Sequence, residues 1–211
     1  MVNKHYRKAK NRQLARIRYN KTNALDKGRI AEAVQKAVLF WRKGNDFGGC
    51  LYYALAGSVL LHHLAGMPFI PIVGTFGIQP DPDDEAGIFC DAEKGGIDQG
   101  EFHAWIGTSD TLIDFSARHY PSMTNKYDME YKRPVLPYLW CQVKDKPPWL
   151  HFRCNEEQTK DMLVRNKDVV RQIGRLAIEY YHNPDLAVID ISECAPAMMK
   201  EMMQWGVQII V

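Results

Sequence analysis

No stretch of this 211-residue chain reaches the ~18 consecutive apolar residues that a membrane-spanning helix needs. The N-terminus, Met1-Val2-Asn3-Lys4-His5-Tyr6-Arg7-Lys8, runs straight into more charge, so the expectation is a chain without an apolar export signal. Cysteine is sparse and scattered. Cys50, Cys90, Cys141, Cys154 and Cys194 are odd in number, with no CxxC pair among them. Without an export signal, that usage argues against a disulfide framework. It also leaves no clustered Cys/His set for a metal, since the adjacent His62 and His63 would point to different faces of a helix. Internal repeats and low-complexity tracts are absent. The expectation is a soluble, cytoplasmic protein with no membrane span and no metal site.

Hydrophobic residues make up 46% of the chain, ample for one packed core at this length. The net charge of +2 hides a segregation of sign. Residues 1–29 hold ten Lys or Arg and a single acid, Asp26, whereas residues 81–101 hold eight acids and one Lys. The pattern divides the chain into a basic arm, residues 1–25, and one domain, residues 26–211. A basic arm can bind nucleic acid. This one lacks aromatic interleaving, so a solvated helix packed on the domain, or paired with the acidic segment, is the plainer reading.

Residues 26–43 read as a helix, with Ile30, Val34, Ala37, Val38 and Trp41 spaced by 3 and 4 and Gly44 as its stop. After the turn Asn45–Gly49, a helix apolar on most faces runs from Cys50 to Ala65 and ends at Gly66, which assigns it to the centre of the domain. Phe69–Ile78 is strand-like, its prolines suggesting an edge strand or an irregular start. Residues 79–100 read as an acidic loop, 101–107 and 111–116 as strands joined at Thr108-Ser109, and 117–135 as loop. Leu136–Val143 is a strand and Asn155–Tyr181 one long helix capped by Asn155. Leu186–Ile191, a short helix to Gln204, and a final strand Gly206–Val211 complete an α+β fold, a central helix against a mostly antiparallel sheet.

Chemistry concentrates in three residues. Cys50 follows Gly48-Gly49 at a helix N-terminus, where free N–H groups and the helix dipole favour a thiolate. Glycines there allow close approach of a substrate to the backbone. A free Cys is also often just a small buried hydrophobe. His103, in Phe-His-Ala-Trp, shares a strand face with Trp105. Asp114 sits between Ile113 and Phe115, where a carboxylate needs a partner. If the turn is centred on Thr108-Ser109, paired positions sum to 217 and His103 faces Asp114 directly. Asn45 is either an oxyanion donor beside the Gly49–Cys50 backbone or a plain turn residue. Trp105 either walls the site or belongs to the core.

Cys50 on its helix, His103 within Phe-His-Ala-Trp-Ile and Asp114 within Leu-Ile-Asp-Phe resemble the transglutaminase-core branch of the papain-like thiol enzymes. The nearest likeness is to the bacterial leader peptidases that process lasso peptides, and it covers residues 45–116. The resemblance implies a papain-like fold and a Cys-His-Asp triad acting through a thioester, without metal or organic cofactor. The acidic segment 79–100 and the C-terminal elements have no counterpart in it. The expected activity is thiol-dependent acyl chemistry on a peptide or protein amide, as peptidase, amidase, deamidase or transglutaminase-like acyltransferase. An acidic rim would favour cationic substrate segments. The alternatives are a nucleic-acid-binding protein using the arm, or an inactive papain-like interaction domain.

Overall fold

The computed structural model describes residues 24–83, 87–94, 97–108 and 110–188. Most of the basic arm, Ser109, Cys194 and the elements expected beyond residue 188 lie outside this set. The chain order is α1 (Lys27–Trp41), α2 (Cys50–Ala65), β1 (Ile70–Ile78), β2 (Gly87–Cys90), β3 (His103–Gly107), β4 (Thr111–Asp114), α3 (Tyr120–Asn125), β5 (Leu139–Gln142), β6 (Leu150–Cys154), α4 (Glu156–Arg165) and α5 (Lys167–His182). The fold is α+β. Every strand pair among the described residues is antiparallel, in the order β2-β1-β3-β4-β5, with β6 also on β1.

Helix α1 starts where Asp26 Oδ1 accepts from the Arg29 N–H at 3.0 Å. It buries Ile30, Ala33, Val34, Ala37 and Val38, one helical stripe. Helix α2 has almost no amphipathic character because it is enclosed, its Tyr53–Ser58 run and Leu60-Leu61 all buried. Gly66 ends it at φ 63°, a left-handed position that a side chain resists. With α1 and α5 beside it and β1 and β3 beneath, α2 is the centre of the larger core. The opposite sheet face carries a second cluster of Phe76, Ile78, Trp105, Leu112, Tyr120 and Leu150.

Approach of α5 to α2 depends on Gly174. A Cβ there would stand 2.5 Å from Val59 Cγ1 and 2.6 Å from Val59 Cβ. Gly174→Ala should therefore cost about 1–3 kcal/mol through overpacking, against its gain in helix propensity. A lowered urea midpoint measures it. An unchanged midpoint would mean the helices part freely.

Several expected elements differ. Strand β1 is central rather than an edge, since Gly74 pairs with His103 on β3 and also with Cys154 on β6. Pro71 is tolerated because β6 pairs only with Gly74–Ile78. Just beyond Pro71, α4 covers the open side: Thr159 Oγ1 accepts from the Val73 N–H at 3.0 Å, and the Asn155 N–H donates to Val73 O. Residues 79–100 are not all loop but contain β2, and 117–135 contain α3. The long C-terminal helix is broken at Asn166, whose side chain turns back to Met162 O at 2.9 Å. Strand β6 had no counterpart in the sequence reading. Residues 186–188 form no strand.

Candidate active site

Gly48, at φ 69°, turns the chain into α2. Gly49 is buried with no room for a side chain, since a Cβ would lie 2.8 Å from Asp46 O. Its carbonyl accepts from the Tyr53 N–H at 3.0 Å, the first bond of the helix. The N–H groups of Cys50, Leu51 and Tyr52 therefore have no intrahelical acceptor, the usual condition of a helix start. Cys50 is half-buried at that point.

The β3–β4 register places Ile106 opposite Ile113 and Gly107 opposite Leu112, a sum of 219 rather than 217. The turn lies one residue further on. Its cause is Thr108, whose N–H donates to Thr111 O and whose hydroxyl donates to Asp110 Oδ1 at 2.7 Å and accepts from Thr111 N–H. A shift of two in the sum moves one strand by two residues and so keeps every side chain on its face. His103 and Asp114 are thus diagonal neighbours, not directly opposed, and still meet: Nε2 to Oδ2 is 2.6 Å.

Asp114 is 1% exposed and His103 2%. The carboxylate is saturated with donors. Oδ1 accepts from the Ser116 N–H at 2.8 Å and the Ser116 hydroxyl at 2.6 Å, and Oδ2 accepts from the Tyr120 hydroxyl at 2.7 Å besides His103. Burial would raise its pKa, but His103, Ser116 and Tyr120 together hold it below the ordinary carboxylate value. Burial likewise works against a charged His103. Asp114, followed by a hydrogen bond to Cys50, overrides it and lifts the imidazole to about 10. With Nε2 taken by Asp114, Nδ1 is the ring nitrogen left for the Cys50 thiol. Phe76 stacks on the ring at 4.4 Å.

Cys50 and His103 open into a cavity of about 250 Å3. Its lining comes from the turn before α2 (Phe47, Gly48 and Gly49), from Gly100 to Phe102, from Met123, Lys126 and Tyr127 of the α3 region, and from Ser116, His119 and Cys90. Burial first, then the neighbouring Cys50, pushes the Cys90 thiol up to about 12 and keeps it protonated.

Two expected site residues are elsewhere. Asn45 is exposed, its N–H bonded to Arg42 O at 3.2 Å, and it does not line the cavity. The tight 46–49 turn carries it away from the Cys50 backbone. Trp105 is 4% exposed and packs edge-on to Phe152 at 5.1 Å, behind His103. Among the described residues of the acidic segment, Asp81 pairs with Lys132, Asp91 with Lys94, Glu93 with Arg153 and Asp98 with Arg165. Glu101 alone of its described acids lines the cavity. Sequence reading missed Ser116, His119 and Tyr120, because a turn after β4, not a motif, brings them in. Ser116, two residues past an unexplained acid, was the available signal.

Residues 25–138, more than half of the chain, match the family described as "Protein of unknown function (DUF2026)". The chain belongs to that family. The match takes in α1, the whole Cys50–His103–Asp114 cluster and α3, and stops before β5. A solved structure described as "The crystal structure of genomics APC5867" is 14% identical, with a TM-score of 0.53 over 72% of this chain and 77% of its own. That likeness supports the α+β fold. No curated protein matches the chain.

Proposed function

We propose that this DUF2026 protein is a cysteine-dependent acyl enzyme with a papain-like, transglutaminase-type arrangement. Cys50 is the nucleophile, His103 its proton partner, and Asp114 the group that orients and charges His103. The observation that carries the reading is the buried chain from Asp114 through His103 to Cys50 at a helix N-terminus. The negative charge of the buried Asp114 carboxylate favours the charged form of His103, and a charged imidazole beside a thiol favours the thiolate. The thiolate attacks an amide or ester carbonyl, whose developing oxyanion can meet the free N–H groups of the first turn of α2. His103 gives its proton to the leaving group, and water or an amine resolves the thioester. A cavity walled by Phe47, Phe102, Met123 and Tyr127, with Glu101 and Lys126 at its edge, suits a peptide or protein segment with an apolar side chain. No metal or organic cofactor enters this scheme. No described helix is long and apolar enough to cross a membrane.

Profiling with electrophilic acyl and peptide probes, read by intact mass and site mapping, tests the reading. Near neutral pH, Cys50 should be modified ahead of the exposed Cys154 and far ahead of Cys90. Labelling in order of exposure, Cys154 first, would favour an inactive domain of the same fold.

A further inference from the structure

Two imidazoles reach the Cys50 cavity, and the mechanism above uses one. His119 stands at the end of the 3-10 turn Ala117–His119 that follows β4, and it lines the cavity with Cys50 and His103. Its Nε2 lies 3.4 Å from Asp46 Oδ2, short of hydrogen-bond geometry, and is buried without a hydrogen-bond partner among the described residues. With Nε2 turned to Asp46, Nδ1 is the ring nitrogen left for the cavity.

Asp46 is itself fixed. Its Oδ2 accepts from the Tyr53 hydroxyl at 2.8 Å, and its carbonyl accepts from the Gly49 N–H at 3.1 Å. The turn that presents Cys50 therefore also holds the partner of His119. Phe47 and Tyr53 confine the ring, their centroids 5.9 and 6.0 Å away. Like His103, His119 thus has a carboxylate beside one ring nitrogen, though a looser and more exposed one than the Asp114 contact at 2.6 Å.

We infer that His119, seated against Asp46, is the base that activates the water or amine resolving the Cys50 acyl intermediate. The inference rests on the thiol-acyl reading above. The incoming oxygen or nitrogen bonds to the thioester carbonyl carbon, and its proton passes to His119 Nδ1. The C–S bond breaks, its electron pair returns to the Cys50 sulfur, the acid or amide departs, and His103, neutral since it protonated the leaving group, regains its proton from solvent. His119 then releases the proton to solvent. The electrostatics suit this division. Burial, outweighing the pull of Asp46 and assisted by Arg118, holds His119 below the ordinary 6.5, while His103 stands at about 10. Two titratable groups pushed apart in one site divide into acid and base.

The ester p-nitrophenyl acetate separates the half-reactions. The burst of p-nitrophenolate reads acylation, and the decay of acetyl-Cys50 by intact mass reads its resolution. His119→Gln should keep the burst and slow resolution about a hundredfold, so that acetyl-Cys50 accumulates. Added imidazole should restore resolution in His119→Ala. In the unmodified protein, resolution should stay level down through pH 6.5 and fall only at a lower pH, as His119 gains its proton. A burst followed by equally fast resolution in His119→Gln overturns the role of His119 and leaves the thiol reading standing. Absence of both p-nitrophenolate release and acetyl-Cys50, in the unmodified protein and in a folded His119→Gln alike, overturns both. Should the His119 variants fail to fold, Asp46→Asn takes their place. Slower resolution with an intact burst supports the inference, and unaltered resolution overturns it.

Discussion

Cys50→Ala is expected to remove ester and amide turnover altogether, a loss of about 10⁴-fold or more, while unfolding stays cooperative. The size of the effect follows from the division of roles. Without sulfur there is no covalent intermediate, so His103 has no leaving group to protonate and His119 no thioester against which to activate water or an amine. Structural cost is small because Cys50 is half-buried at the first position of α2, and alanine is the best helix former. The measurement is steady-state hydrolysis of an activated ester alongside a urea transition for each protein. Turnover surviving in the alanine variant would remove the thiol from the mechanism. Loss of the cooperative transition would make any loss of activity uninformative, and Cys50→Ser, closer in shape, would then stand in for it.

How far the site was readable in the sequence depended on which interactions are local. The α2 boundaries were legible because Gly49 and Gly66 bracket an apolar run, and both glycines act within a turn of their own position. The face shared by His103 and Asp114 was legible because strand alternation has period two. The register within that face was not, since Thr108 and Asp110 set the turn through side-chain bonds that composition alone does not rank. The central position of β1 was hidden by Pro71, whose missing N–H is harmless only because β6 arrives three residues later. Asn166 fooled the helical period for a related reason: Met162 and Ile173 keep the apolar spacing across the break, and both are fully buried. His119 was invisible because nothing in Arg118-His119-Tyr120 points to Asp46, which is 73 residues upstream (119 minus 46). Short-range chemistry is written in the chain, whereas convergence from separate turns is a product of packing.

Asp114→Ala should destabilise the fold by about 3–5 kcal/mol, a larger effect than expected of any other single change in the site. The carboxylate is buried and accepts from His103, from the Ser116 N–H and hydroxyl, and from Tyr120. Alanine leaves those donors unmatched in a place water does not reach, and unpaired buried donors are costly. Asp114→Asn keeps one acceptor oxygen but sets an N–H₂ where the second oxygen stood, against a donor, so it should lie between. The pH dependence separates this charge pair from a merely polar contact. His103 is raised from 6.5 to about 10, so its contribution is complete below pH 6.5 and is lost as pH rises toward 10. Asp114 is lowered from 3.8, so its contribution is complete above 3.8 and is lost as pH falls through the lower folded value. Between pH 3.8 and 6.5 both are present in full. Urea unfolding at about pH 5 and about pH 9 should therefore show the unmodified protein losing stability toward the alkaline side, with Asp114→Asn losing much less. Equal losses in the two proteins would mean that His103 is neutral in the folded state, and that the thiol beside it lacks the charged partner on which the proposed mechanism depends.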